Sequence, residues 1–457
     1  MRILEVVHGF PPASHGGTEL YARAHARALR DGGDEILVFA REQDPNRAEY
    51  DCRTEARDGL RIVLVNNTFR NTRAFEETYR NESIGAVASR VIDDFRPDAA
   101  HIHHLTGLST TIVRSLAERR IPSVFTLHDY WLMCHRGQLL DVDYRVCDGP
   151  GVEGCHACLP TAGGAGTVGF AGAMAVRTLE RRLPEAPARQ LRRVAERVAG
   201  MIASPGEAEK QERRRLAHMR EVCAEVTHFL APSRYMRDRF VEFGIPPERI
   251  TLAANGTVRL KADTTYDSPT YVVSGFSRTV GGHVVRLGFL GSLMISKAPD
   301  ILLEAAARLP RGSVSVDLFG AYSPYHGDDR YREQLEPLLQ GEGIRVHGAI
   351  ANEQVADALA SIDVLVVPSI WPENAPLVIQ EAFLAGIPVV ASRIGGIPEM
   401  VSEGQNGLLF RGGDIEDLSK TLARFLDEPG LLDTLRAGIP PVRSIEEDIR
   451  FARSLYR

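Results

Sequence analysis

Two carboxylates, Glu373 and Glu381, stand on either side of a stretch built to hold an anion. The run from Pro368 through Ser369, Ile370, Trp371 and Pro372 to Glu373 follows the apolar strand Val364–Val367 and reads as a loop. Pro376 suits the first helical position, and Gly386 suits the left-handed stop after the last turn. The helix is therefore short, and the free N–H groups from Ala375 to Leu377, around Pro376, form a positive end that attracts a phosphate. Glu381 sits about five residues in, roughly 7 Å along the axis. Two acids straddling a phosphate pocket suit the hydroxyl-rich groups on either side of a pyrophosphate. A single glutamate would read as surface; the whole run does not.

Such a site needs parallel strands feeding helices. Short apolar runs, among them Ile36–Ala40, Ile62–Val65, Ser123–Leu127, Leu287–Leu290, Val314–Phe319 and Pro388–Ala391, alternate with helix-period stretches such as Thr18–Arg30 and Ile301–Leu309. That alternation indicates parallel sheets with helices on both faces. The pattern restarts. Arg2–His8, Gly16-Gly17 and a helix from Thr18 are matched by Arg286–Leu290, Gly291 and a helix opening at Pro299. The predicted fold class is α/β, with two Rossmann-like doubly wound domains facing a cleft. The first spans 1–256. Residues 257–283, rich in Thr, Asp and Ser, read as a linker insertion without packed structure. The second domain spans 284–440, and a helix over 441–457 beyond Pro440-Pro441 is free to pack back on the first domain.

His128 and Asp129 follow the strand Ser123–Leu127, at the strand edge where ligands bind, and Asp129 could orient the imidazole. His101, His103 and His104 end the preceding strand, and without a distant carboxylate they make a poor metal site. Gly16 and Gly17, between the first strand and first helix, let backbone approach a ligand closely.

Glu373, seven residues, Glu381, then Ala-Phe-Leu-Ala-Gly-Ile-Pro-Val-Val-Ala-Ser, Gly395-Gly396-Ile397-Pro398-Glu399 and Asn406-Gly407-Leu408-Leu409 resemble the retaining glycosyltransferases of the GT-B fold, family 4. The resemblance covers nearly the whole chain apart from the linker, although Ser292 follows Gly291 where the family often has an arginine. It implies transfer of a sugar from a nucleotide diphosphate sugar to a hydroxyl on a sugar, glycan or lipid-linked acceptor. Configuration would be retained, through an oxocarbenium-like transition state in which the leaving phosphate accepts the proton. Glu381 would hold the donor ribose and Glu373 the donor sugar, while Lys297 would neutralise the departing diphosphate, where charge builds. His128 would lie near the transferred sugar, and Gly16-Gly17 would form the first glycine loop. No catalytic metal is implied. Other readings are a nucleotide-sugar epimerase on the same fold or a non-catalytic module that binds a nucleotide sugar.

Four cysteines, Cys134, Cys147, Cys155 and Cys158, fall within 25 residues. Four thiols with one C-x-x-C pair can close a tetrahedral site, most often for structural zinc. An iron–sulfur cluster, disulfides and unligated thiols stay open, with His135 and His156 as alternative ligands. Cys52 and Cys223 read as isolated packing residues.

The 457 residues are 44% hydrophobic and 25% charged with a formal charge of −6, which speaks against general nucleic-acid affinity. No stretch approaches the ~20 apolar residues of a spanning helix. The opening residues read as a buried strand rather than a secretory leader, so a cytoplasmic chain is expected. The helical stretch 177–220 carries twelve Arg and Lys against six Glu. It suits either a solvated face or peripheral contact with the inner face of an anionic membrane, as in assembly of a surface polysaccharide or glycolipid.

Overall fold

The computed structural model describes residues 1–14, 16–150, 155, 158–159, 187, 190–191, 194, 205–258 and 284–456. Most of the expected linker insertion, and most of the basic stretch before residue 205, lie outside the described residues. The chain divides into two compact units, Met1–Ala254 with Ile445–Arg457, and Asn255–Ser444.

The first unit is built on an eight-stranded sheet in the order β3-β4-β2-β1-β5-β6-β7-β8. Its strands are β1 (Arg2–Val7), β2 (Glu35–Glu42), β3 (Cys52–Arg57), β4 (Leu60–Asn66), β5 (Ala99–Ile102), β6 (Ser123–Thr126), β7 (His228–Ala231) and β8 (Ile250–Leu252). Only the β3–β4 pair is antiparallel. The central strands are buried on both faces, which is why they read as continuous apolar runs rather than as alternation. The helix Gly17–Asp31 lays Tyr21, Ala22, His25, Ala26 and Leu29 inward. The helix Arg234–Phe243 starts where Ser233 Oγ accepts the Met236 amide at 3.2 Å, and it stops at Gly244, whose φ of +119° suits a residue without Cβ.

The second unit holds a six-stranded, wholly parallel sheet in the order β11-β10-β9-β12-β13-β14. These are β9 (Val285–Leu290), β10 (Val314–Phe319), β11 (Ile344–Gly348), β12 (Val364–Val367), β13 (Val389–Ser392) and β14 (Gly407–Phe410). One core cluster packs Leu287, Leu302, Leu318, Val366 and Phe410; a second packs Leu359, Leu365, Ile379, Val389 and Ile397. Alternate residues of β12 and β13 thus serve opposite faces.

This unit begins earlier and ends later than the span 284–440 read from the sequence. Asn255–Thr257 joins it because the Thr257 amide donates to the Arg443 carbonyl at 3.0 Å, and Gln380 binds both the Asn255 carbonyl (3.1 Å) and the Thr257 hydroxyl. The final helix, Ile445–Ser454, belongs to the first unit. There Tyr21 Oη donates to Asp448 at 2.5 Å, Tyr456 Oη meets His101 Nδ1 at 2.6 Å, and Arg453 reaches Asp34 at 3.2 Å.

In each sheet the strand order reverses once, between β1 and β5 and between β9 and β12. Ligands of open α/β sheets bind beyond the carboxyl ends of the strands that flank this reversal. In the second unit those ends lead to Lys297 and Glu373; in the first they lead to Gly16-Gly17 and His103-His104.

Candidate functional site

After β9 the chain turns at Gly291 and passes through a short 3-10 turn, Ile295–Lys297, before the helix Pro299–Ala306. After β12 it runs through Ser369 and Trp371 to Glu373. Lys297 Nζ meets Glu373 Oε1 at 2.5 Å, across 76 positions of sequence. Ser369 Oγ donates to the same carboxylate oxygen at 2.7 Å, and the ammonium stands 5.4 Å from the Trp371 ring centre. Glu373 is 3% exposed while the lysine side chain keeps 30%. A buried carboxylate thus faces a cation that is open on one side.

The backbone of this loop is fixed from outside. Gly396 N–H donates to the Glu373 carbonyl at 2.7 Å, and Gly395 has a φ of +59° with no room for a Cβ against that carbonyl. The Gly395-Gly396 pair therefore holds Glu373 in place by close backbone approach.

The helix after Glu373 runs Leu377–Leu384, with Pro376 as its N-cap and Gly386 at φ +72° after it. It starts one residue later than the sequence suggested, because Pro376 has ψ of 119° and stays outside the helix. Pro376 has no N–H, so the donors at this end are the amides of Ala375, Leu377 and Val378. Among the described residues none of the three has a backbone acceptor.

Glu381 is brought onto the same helix but touches neither Lys297 nor Glu373. Although its side chain is only half-buried, the surrounding protein desolvates the carboxylate and pushes its pKa up to about 7. Among the described residues no cation or donor offsets this.

In the first unit Gly16 caps the first helix with φ of −69°, and Gly17 opens it. Neither needs a left-handed backbone. The constraint at Gly16 is steric: a Cβ would run into the Glu19 carboxylate, which folds back to His8 (3.2 Å) and Ser14. Burial alone would raise the Glu19 pKa, but the hydrogen bonds from His8 and Ser14 hold it at about 2.

His128 stands at the end of β6, with Nε2 3.3 Å from His103 Nδ1. Asp129 does not orient it. That carboxylate accepts instead from His104 Nε2 at 3.1 Å and from the Trp131 amide at 2.8 Å. What orients His128 is a residue hidden in β1: Glu5, 1% exposed, binds His103 Nε2 at 2.6 Å and His25 Nδ1 at 3.2 Å. The only early sign of it was a lone acid in an apolar strand. Burial, although opposed by Glu5, would lower the His25 pKa; the Glu5 charge prevails and raises it. Burial and the other histidines hold His103 and His128 well below the usual imidazole range. With His103 neutral and its Nε2–H given to Glu5, its Nδ1 can only accept. His128 Nε2 then donates, and Nδ1 keeps a lone pair. Glu5, His25 and His101 have potential ligand atoms within 4.8 Å of one another, but both nitrogens of His101 are engaged, by Tyr456 and by Thr126 at 2.7 Å.

Cys134, Cys147, Cys155 and Cys158 also lie in the first unit, and no disulfide joins them. Cys223 is buried as expected, whereas Cys52 is exposed at the edge strand β3.

The family described as "Glycosyl transferase 4-like domain" matches residues 16–256, and "Glycosyl transferases group 1" matches 284–438. Among curated relatives, a D-inositol 3-phosphate glycosyltransferase of Rhodococcus jostii is 31% identical over 231 residues, covering 48% of this chain and 49% of that protein. The sulfoquinovosyl transferase SQD2 of Arabidopsis thaliana is 34% identical over 148 residues, 32% of this chain and 26% of that protein. The chain thus spans between about a quarter and a half of the length of these relatives. Among solved structures, Anabaena HepE in complex with UDP and glucose superposes with a TM-score of 0.63 at 17% identity, covering 100% of this chain and 99% of that one. The sucrose-phosphate synthase of Thermosynechococcus elongatus gives 0.62 at 17% identity, covering 100% and 98%. Two parallel-sheet units on this scaffold, with a transferase domain matched in each, make the chain a member of the GT-B glycosyltransferases, 4-like in its first domain and group 1 in its second.

Proposed function

We propose that the protein is a retaining glycosyltransferase that moves a sugar from a nucleotide diphosphate sugar to a hydroxyl acceptor without a catalytic metal. The observation that carries this reading is the Lys297–Glu373 pair at the switch point of the second sheet, beside the amides of Ala375, Leu377 and Val378, which have no backbone acceptor among the described residues. A diphosphate arriving at that helix end would take the lysine from the glutamate. The ammonium would then meet the charge that builds on the leaving group, and the freed carboxylate would accept hydroxyls of the donor sugar. Glu381, with no partner among the described residues, would gain one in the ribose hydroxyls. The leaving phosphate is the base for the acceptor proton, which is why the sugar keeps its configuration. His128, fixed as a donor at Nε2, would offer Nδ1 as an acceptor in the transfer step, and Gly16 and Gly17 would let backbone approach a ligand, as the family resemblance implies.

The donor is proposed as a UDP-sugar or its GDP or ADP counterpart, in keeping with the UDP and glucose named for HepE. The acceptor class is a sugar alcohol, glycan or lipid-linked sugar, in keeping with the inositol phosphate named for one relative. The setting that the basic stretch suits is surface polysaccharide or glycolipid assembly at the inner face of a membrane. A thermal-shift panel of UDP-, GDP- and ADP-sugars selects the donor. Release of the nucleoside diphosphate, lost in Glu373→Ala with folding intact, then tests catalysis. Donor binding with no release in any acceptor mixture would leave a binding module instead. An inverted anomeric centre in the product would refute retention.

A further inference from the structure

The last helix, Ile445–Ser454, docks on the first unit by ordinary means. Ile445, Ile449 and Ala452 are buried on its inner face, and Arg453 reaches Asp34 at 3.2 Å and the Gly32 carbonyl at 3.4 Å. Those contacts hold a helix in place. Yet the same face carries Asp448, 2% exposed, and the chain just beyond the helix carries Tyr456, 1% exposed. An acid and a phenol sunk into a core cost desolvation that apolar residues of like volume avoid, so docking does not explain them. Both lead to His128.

The first arm runs through Tyr21. Its hydroxyl donates to Asp448 Oδ2 at 2.5 Å and so pins a ring that is itself buried. That ring meets the His128 imidazole edge-on, with 5.1 Å between centres and 62° between planes. The second arm runs through His101. A phenol keeps its proton at neutral pH, so Tyr456 Oη donates to His101 Nδ1 at 2.6 Å, and Nε2–H is left to donate to Thr126 Oγ1 at 2.7 Å. Thr126 ends β6, two positions before His128. His101 also lies flat on His103, with 4.6 Å between centres and 17° between planes, and His103 Nδ1 is the atom that meets His128 Nε2. The last helix thus fixes the ring beside His128, the strand end that carries it and the imidazole bonded to it. Hydrogen bonds add what apolar packing lacks, a direction.

We propose that the last helix is a positioning element of the transfer step, in which Asp448, through Tyr21, and Tyr456, through His101 and Thr126, hold the His128 imidazole in the orientation and tautomer that the reaction uses. Its effect on rate rests on the glycosyltransferase reading above; its effect on the imidazole does not.

The test deletes one hydroxyl at a time and keeps each ring. In the full-length chain without ligand, Tyr21→Phe and Tyr456→Phe should each move the ¹⁵N shifts of His128. With the donor that the unmutated enzyme uses, each should lower kcat roughly threefold to tenfold and leave KM within about twofold. Arg453→Ala removes a contact of the same helix that leads away from His128, so it should lower the first unit's stability and leave the His128 shifts and kcat in place. Where one phenylalanine variant does not fold, the other tests the claim through its own arm. Unmoved His128 shifts in the folded phenylalanine variants would overturn the proposal. So would a loss of kcat in Arg453→Ala that matches theirs, since the helix would then act by docking alone. A chain whose His128 shifts move as expected but which transfers no sugar contradicts the proposed reaction and supports the positioning.

Discussion

Among the described residues no cation stands beside an ionised Glu381, so its charge is a cost of the folded chain. Its folded pKa of about 7 lies above the ordinary 4.5. The stability it allows is therefore complete below pH 4.5 and is lost as pH rises through 7. Glu381→Gln should raise the ligand-free melting stability at pH 8 by about 1–2 kcal/mol and leave it unchanged at pH 4.5. Ribose hydroxyls need the ionised acceptor, so nucleoside diphosphate affinity should strengthen as pH rises from 6 to 8, and this dependence should flatten in the Gln variant; calorimetry at each pH reads both. At His128 the account rests on a tautomer. Histidine ¹⁵N shifts should show His128 protonated at Nε2, and His103→Ala should scramble that assignment. The same variant should lower kcat by about tenfold or more with little change in KM, as expected for a positioning residue. An unchanged tautomer in His103→Ala would remove Glu5 and His103 from the mechanism.

The elements explain why these residues meet. The β9 and β12 loops converge because the sheet reverses order between them, and Gly395 fixes the second loop by backbone contact. Gly395→Ala places a Cβ against the Glu373 carbonyl at an unfavourable φ, so it should destabilise the chain by about 1–3 kcal/mol. It should also weaken donor binding, whereas Gly413→Ala, where φ is +80° but space is open, should cost stability alone. At this scale the sequence was legible in outline. Strand runs, glycine turns and the Pro376 and Gly386 punctuation placed both sheets and the donor helix, because local chemistry sets them. Four things were not legible. Pro376 was expected inside the helix, since N-cap and N1 tolerate proline alike. Asp129 follows His128 in sequence yet serves His104, because a side chain's partner depends on tertiary direction. Glu5 was read as part of a strand, and its work on His103 crosses 98 positions. The direct Lys297–Glu373 pairing was likewise hidden, although each residue had been singled out.

At the scale of the whole molecule, two units with separate cores should melt as separable events, and the last helix should count toward the first. Tyr456→Phe removes the hydroxyl from a fully buried hydrogen bond to His101 and should lower the first unit's stability by about 1–2 kcal/mol. The second unit's transition should stay in place, and a nucleoside diphosphate should shift that transition in both proteins; scanning calorimetry with and without ligand separates them. Equal losses in both transitions would mean that the helix does not belong to one unit. The claim on which the functional reading stands is that Lys297 changes partner, from Glu373 to a leaving diphosphate. Its most direct test is the rate of nucleoside diphosphate release from the selected donor by Lys297→Ala beside the unmutated enzyme, with melting curves as the folding control. The account predicts a fall in kcat/KM of about a hundredfold or more with the fold retained. A folded Lys297→Ala that releases the diphosphate at the unmutated rate would contradict it.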